Sequence, residues 1–268
     1  QRICEALDRR FSIQEGCEFT MECNPGTANG HTFAACLNMG INRLSFGVQS
    51  SEEAELRLLG RVHSYAEAER SFQEAREAGF QNINIDLMSG IPGQTIESYG
   101  RTLDRILHLE PEHISAYSLI IEEGTPFYDR YREEPPVDEE TDRQMYMATG
   151  VRLSEYGYER YEISNYAKTG FACRHNLKYW SGGEYIGFGV GASSRVGNTR
   201  YRNEEDPAEY TKRIRQERRA ADVEEILDRD AQMSEFFFLG LRRTRGVNLT
   251  EFERLYGVSA FDIYERQI

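Results

Sequence analysis

Long apolar runs, clustered cysteines and a surplus of positive charge are all missing from this sequence of 268 residues. No run of about 18 apolar residues occurs, and residues 1–10 lack the apolar segment of a signal peptide, so we predict neither a membrane-spanning helix nor a leader. The five cysteines are odd in number and widely spaced, which argues against a disulfide framework and predicts a reducing, cytoplasmic location. The net charge of −13 repels a phosphate backbone, so no nucleic-acid partner is predicted.

The first half of the chain alternates short β-rich runs with longer helical segments. This rhythm predicts an α/β fold in which parallel strands are joined by right-handed helical crossovers. Ser64 and Glu67 form a capping-box pattern at one helix start, and Gly79 fits the position after that helix. The predicted strands are residues 17–23, 42–49, 82–87 and 113–119.

The second half has a different texture. A loop rich in proline and glycine precedes a predicted helix over residues 138–156. Short β-like runs follow at 158–164, 185–190 and 199–202, and the last sixty or so residues are predicted to be helical.

Polar side chains stand at the ends of three successive predicted strands. Glu22 ends the first strand, Gln49 the second, and Asp86 lies near the end of the third in an otherwise apolar run. In α/β barrels, ligands bind where strands end and loops begin. Each residue alone is an ordinary strand end. A buried Asp86 carboxylate without a partner, however, would lower the folding stability by on the order of several kcal/mol.

Five segments of the chain resemble successive landmarks of the oxygen-independent coproporphyrinogen oxidase-like family of radical S-adenosylmethionine (SAM) proteins. The segments are Glu22–Thr27, Arg43–Ser50, Leu58–His63, Asn84–Thr95 and His113–Leu119. The resemblance implies an incomplete (β/α)6 radical SAM barrel, a partial TIM-type barrel. It further implies that Glu22, Gln49, Arg61 and Asp86 line a SAM pocket, which suits the hydroxyls, carboxylate and sulfonium of SAM.

A second element, Tyr161–Trp180, ends in His-Asn-x-x-Tyr-Trp. Imidazole ligates heme iron and flat rings stack on a porphyrin, although a structural histidine among aromatics explains the same composition. The motif resembles the signature of the heme chaperone branch of the same family. The resemblance implies that His175 is the heme-iron ligand and that Asn176, Tyr179 and Trp180 shape the heme pocket.

The chain departs from the family at both ends. The C-x3-C-x2-C motif that holds a 4Fe–4S cluster in relatives is absent, and residues 233–247 resemble the start of a helical domain that stops at Ile268. We therefore expect an internal fragment; the alternative is a natural variant without radical chemistry. The predicted parts are residues 1–120 (partial barrel), 121–220 (β-containing extension with the heme element) and 221–268 (truncated C-terminal helical domain).

The sequence is compatible with three functions. The resemblance favours a heme chaperone that delivers heme to an acceptor protein, with respiratory proteins as one class of acceptor, and with SAM and a 4Fe–4S cluster in the complete chain. The first alternative is an oxygen-independent coproporphyrinogen III oxidase, which decarboxylates propionates oxidatively. The second is a degenerate barrel that only binds a partner.

Overall fold

The computed structural model describes residues 2–133 and 135–266. The chain divides into two compact units, Gln1–Ala172 (unit 1) and Cys173–Ile268 (unit 2). The three-part division predicted from the sequence stays a prediction.

Unit 1 contains a six-stranded sheet with the order β1-β2-β3-β4-β6-β5. The first four strands run parallel, whereas β6 runs antiparallel to β4 and β5 antiparallel to β6. The predicted α/β fold with a parallel sheet is confirmed. The strands are β1 (Thr20–Cys23), β2 (Arg43–Gln49), β3 (Ile83–Ser89), β4 (His113–Ser118), β5 (Glu159–Arg160) and β6 (Asn165–Ala167).

Helices connect the four parallel strands, as the alternating sequence pattern predicts. The connecting helices are α2 (Gly30–Asn38), α3 (Glu53–Leu58), α4 (Tyr65–Ala78) and α5 (Ile96–Leu107); α1 (Arg2–Arg10) precedes β1, and α6 (Pro126–Tyr131) and α7 (Glu139–Glu155) lie between β4 and β5. Ser64 and Glu67 make the predicted capping box at the start of α4, and Gly79 ends that helix with φ 111°. Such caps satisfy backbone groups that a helix end leaves without partners.

The core of unit 1 lies on one face of the sheet. Alternate strand residues such as Leu44, Phe46 and Ile85 are fully or almost fully buried there. The Phe33 ring of α2 meets Phe46 edge-to-face at 5.9 Å and Phe80 at 6.3 Å. Burial of these apolar surfaces is the main stabilising term.

Unit 2 has a three-stranded antiparallel sheet and helices before and after it. Its elements are α8 (Arg174–Trp180), β7 (Ser193–Val196), β8 (Thr199–Asn203), α9 (Pro207–Glu217), β9 (Ala221–Ile226), α10 (Arg229–Gly240), α11 (Leu249–Tyr256) and α12 (Ala260–Tyr264). Met233, Phe252 and Ala260 form the small core of the last three helices.

Two local predictions for unit 2 are wrong. Residues 221–226 form strand β9 instead of helix, because they pair with β8, and the partner strand outweighs their helix-like charge pattern. Residues 185–190 form no strand, and only an isolated bridge joins Tyr185 to Arg195.

Candidate functional site

The parallel sheet has one apolar and one polar face. Neighbouring strands are in a register that pairs Ser45 with Asn84, and Asn84 with His113, so these side chains share a face. The opposite face packs into the core. The polar face carries Ser45 on β2, Asn84 and Asp86 on β3, and His113, Ser115 and Tyr117 on β4.

Gln49 and Arg61 come together at the end of β2. A bulge interrupts the pairing of β2 between Gly47 and Gln49, and Gln49 has φ 70°, a left-handed conformation that is uncommon outside glycine. A Cβ on Gly47 would lie 3.2 Å from Gln49 Nε2 and 3.8 Å from Arg61 Nη1. Arg61 Nη1 donates to Asn24 Oδ1 at 2.9 Å. Glycine at position 47 therefore leaves room for both predicted side chains.

Asp86 lies one strand further on, on β3, and is partly buried. Its Oδ1 accepts from Asn84 Nδ2 at 2.7 Å, and its Oδ2 from Ser45 Oγ at 3.4 Å. Burial raises the pKa of the Asp86 carboxyl above its ordinary value, and the neighbouring charge of Glu22 adds to the rise. The exposed Glu22 and the partly buried Asp86 are thus close enough to interact.

Tyr117 lies among the four predicted side chains, although it was not predicted as a site residue. Its hydroxyl donates to Gln49 Oε1 at 3.0 Å. The pKa of Tyr117 is raised, first by burial and then by Asp86; Arg61 opposes the rise and Glu22 adds to it. Tyr117 therefore lies within electrostatic reach of all four predicted residues. The available signal was its place in β4, two residues beyond Ser115 on the same face.

Asp86 is held by a buried hydrogen-bond network that is centred on Asn84. Asn84 Oδ1 accepts from Ser115 Oγ at 3.1 Å and lies 2.5 Å from His113 Nδ1, and Asn84 Nδ2 donates to Ser45 Oγ at 2.7 Å. His113 Nε2 lies 2.8 Å from the Tyr161 hydroxyl.

Burial, with a smaller effect of Arg43, holds the pKa of His113 well below its ordinary value, so the imidazole is neutral. Because Asn84 Oδ1 only accepts, the His113 proton resides on Nδ1, and Tyr161 donates to Nε2. The network therefore fixes the Asn84 amide with its NH2 group toward Asp86.

This end of the sheet combines two carboxylates, a guanidinium, an amide and a phenol. Such a set suits a ligand that carries hydroxyls together with charges of both signs. In residues 2–133 and 135–266, no group of three or more His, Cys, Asp or Glu side chains is arranged to hold a metal ion.

The second candidate site belongs to unit 2 and is built on α8. The His175 and Tyr179 rings meet edge-on with centroids 4.7 Å apart, and Tyr179 meets Tyr185 at 4.6 Å. Residues i and i+4 of a helix share a face, which accounts for the first contact.

A pocket of about 290 Å³ adjoins this aromatic row. Asn176, Tyr179 and Trp180 line it, whereas the exposed His175 is not among its lining residues and contacts the lining residue Tyr179. The indole Nε1 of Trp180 is buried without a hydrogen-bond acceptor. Buried donors are normally satisfied, so this atom marks a place where a ligand acceptor fits. The remaining lining residues are Gly183, Tyr185, Arg195, Arg200 and Leu239.

Two family profiles match this chain, one near each end. Residues 1–106 match the profile of the radical SAM superfamily, and residues 227–268 match the HemN C-terminal domain. One solved structure, coproporphyrinogen III oxidase (HemN) from Escherichia coli, described as a radical SAM enzyme, superposes with a TM-score of 0.83 and 20% identity over 98% of this chain and 64% of its own. The chain is a radical SAM protein by class, and this superfamily implies SAM and a 4Fe–4S cluster.

Similar proteins of known name show which family of radical SAM proteins this chain belongs to. A Bacillus subtilis protein named heme chaperone HemW is 40% identical, and the matched region covers 90% of this chain and 64% of that relative. Its namesake from Lactococcus lactis is 35% identical over 100% of this chain and 71% of its own. The Escherichia coli HemW is 39% identical, over 73% of this chain and about half (51%) of the relative. The chain belongs to the HemW family.

Proposed function

We propose that this protein is a heme-binding chaperone built on a radical SAM scaffold, with His175 as the iron ligand. The observation that carries the proposal is the α8 element, in which His175 contacts Tyr179 beside an aromatic pocket with an unsatisfied Trp180 donor. The family supports it, because its curated members are named heme chaperones. Imidazole supplies a ligand for iron, and aromatic side chains suit a flat macrocycle.

Heme titration of the full-length protein tests the proposal. We expect specific binding with a defined Soret band in the wild type, and a shifted Soret band with at least tenfold weaker binding, on the order of one lost ligand, in His175→Ala. His31→Ala removes an exposed histidine outside the candidate site and serves as the matched control. A His175→Ala variant with unchanged affinity and Soret band would contradict the assignment.

We further propose that Glu22, Gln49, Arg61 and Asp86 bind SAM, with Tyr117 as an additional contact. Arg61 and Gln49 suit the amino-acid end of SAM, and the two carboxylates suit its hydroxyls and its positive charge. Equilibrium binding of SAM to Arg61→Ala and Asp86→Asn checks this. Wild-type protein without SAM affinity would favour the degenerate barrel over a SAM-binding scaffold.

The described residues contain no group of three or more His, Cys, Asp or Glu side chains suited to hold a 4Fe–4S cluster. Within the described ranges, no helix is both long and apolar enough to cross a bilayer. We propose a cytoplasmic protein that hands heme to an acceptor protein; the odd number and wide spacing of its five cysteines support the reducing location. Transfer from the heme-loaded protein to a heme-free b-type cytochrome, followed by the Soret band, tests delivery.

Oxidative decarboxylation of coproporphyrinogen III is the second candidate, and the C-terminal match to the HemN domain favours it. The likeness to the Escherichia coli oxidase, at 20% identity, shows the fold alone. Conversion of coproporphyrinogen to protoporphyrinogen by the reconstituted full-length protein would move the assignment to this reaction.

A further inference from the structure

The pocket beside α8 has an aromatic wall and a cationic wall. Tyr179, Trp180 and Tyr185 supply the rings. Arg195 of β7 and Arg200 of β8 supply the charge and are direct partners across the β7–β8 hairpin. Like charges placed directly opposite each other in a sheet are destabilising, so this arrangement needs a compensating group.

Glu235 of α10 is that compensating group. Its Oε2 lies 2.8 Å from Arg195 Nη1, and its other oxygen pairs with Arg200. Arg195 and Glu235 are almost completely buried, with side chains 13% and 12% exposed. Burial and the charge of Arg200 lower the pKa of Arg195, and the buried Arg195 Nε has no hydrogen-bond partner. Glu235 therefore holds two guanidinium groups that line the pocket, Arg200 also pairs with the exposed Glu225 of β9, and Arg195 keeps an unused Nε donor.

A third arginine extends the cationic wall at Trp180. The Arg242 guanidinium lies 5.0 Å from the Trp180 ring centroid and 4.7 Å from that of Phe238. Across residues 2–133 and 135–266, no carboxylate comes within ion-pair distance of Arg242 or of its neighbour Arg243. This positive surplus occurs in a chain whose net charge is −13, and an arginine stacked on aromatic rings keeps its N–H groups free for an anion.

We propose that Arg195, Arg200 and Arg242 form a carboxylate-recognition site for the propionates at the edge of the porphyrin. This inference rests on the proposed heme-binding function and names the propionate carboxylates as the groups of the ligand that unit 2 recognises. The aromatic wall contacts the flat ring system, and the arginines bind its carboxylates through charge-assisted hydrogen bonds. Glu235 is a positioning residue that orients two of the arginines before the ligand arrives.

Comparison of hemin with hemin dimethyl ester tests the site, because esterification removes the negative charges and leaves the iron and the ring. In the full-length wild type we expect hemin to bind at least about tenfold more tightly than the diester, as for one lost charge-assisted contact. Arg242→Gln should lose most of that preference while its Soret band stays at the wild-type position. His175→Ala should show the opposite pattern, with a changed Soret band and a retained preference for the free acid.

Arg242 is the variant of choice because, among the described residues, its side chain makes ring contacts and no ion pair, whereas loss of Arg195 or Arg200 removes one of the two ion-pair partners of Glu235. Arg215→Gln, an exposed arginine on α9, is the matched control and should retain the full preference. Equal affinity for hemin and its diester in the wild type overturns the carboxylate site and leaves the heme proposal intact. No binding of either compound overturns the heme proposal, and the carboxylate site with it.

Discussion

The two candidate sites differ in how their side chains are held. At the end of the sheet in unit 1, Asp86 and Gln49 already have partners from the chain, supported by the buried network around Asn84. In unit 2, α8 has seven residues, none of them fully buried, and the Trp180 indole donor has no acceptor. The first site is preorganised by its sheet, whereas the second keeps unsatisfied donors that a ligand can complete.

The largest expected effect tests how far unit 2 depends on its small core. Phe252 is fully buried against Phe236, Phe237 and Tyr256, so Phe252→Ala should lower the unfolding free energy by about 3–5 kcal/mol. Urea unfolding followed by circular dichroism measures this. Phe261→Ala, at a side chain that is 56% exposed, should cost much less, and equal losses would show that the core assignment is wrong.

The second prediction concerns removal of Asn84 from the hydrogen-bond network that holds Asp86. Asn84→Ala leaves His113 Nδ1–H without its acceptor and Asp86 without its strongest donor, so we expect a loss of about 2–4 kcal/mol in unfolding free energy. Asn82→Ala is a nearby control, because the buried Asn82 Oδ1 has no hydrogen-bond partner to lose. Similar losses of unfolding free energy in both variants would contradict a special stabilising role of the Asn84 network.

The third prediction concerns pH. The pKa of His113 is lower in the folded protein than in the unfolded chain, so the unfolded chain binds more protons as pH falls below its ordinary value of about 6.5. Stability is therefore complete above that value and decreases below it, by up to about 1.4 kcal/mol per pH unit for this one group. Urea unfolding at about pH 7.5 and about pH 5.5 measures the loss.

His113→Gln should be less stable than the wild type at the higher pH but should lose less on acidification. The buried His63, whose pKa is also lowered, and Asp86, whose raised pKa acts in the opposite direction, contribute to both proteins and cancel in the comparison. The exposed His108→Gln is the control. Parallel acid losses in wild type and His113→Gln would contradict the neutral buried imidazole.

The smallest expected effect separates binding from stability at Asp86. Because the folded protein raises the pKa of this carboxyl, its charged form destabilises the fold above that pKa, and Asp86→Asn should gain up to about 1 kcal/mol at about pH 7.5. The same change should weaken SAM binding. Calorimetric unfolding and SAM titration of one sample measure both, and a stability loss would show that Asp86 is structural first.

The parallel sheet of unit 1 was predictable from the sequence because it depends on local patterns, whereas the SAM-binding role of the four selected residues rests on the family resemblance and stays a prediction. Strand-end residues such as Gln49 and Asp86 follow from the alternation of apolar and polar positions. The contacts that bring Arg61 and Tyr117 to them depend on the register of β2, β3 and β4, which no local pattern contains.

Unit 2 was less predictable for the same physical reason. Strand β9 carries charges on a mostly exposed strand and forms only because β8 offers a partner. The pairing of Arg195 with Arg200, and their joint contact with Glu235, arises from hairpin register and from a helix distant in the chain. His175 was selected by its motif, whereas its position outside the pocket lining required the structure.

The chain has a single tryptophan, Trp180, and that residue lines the pocket beside α8. All intrinsic indole emission of residues 1–268 therefore originates within one side chain of the proposed heme site. A bound porphyrin absorbs in the range in which indole emits, so occupancy of this pocket would extinguish that emission by energy transfer. Within residues 1–268, Trp180 would thus act as an intrinsic optical reporter of ligand arrival and release, by which the proposed heme delivery could be followed in real time without a label.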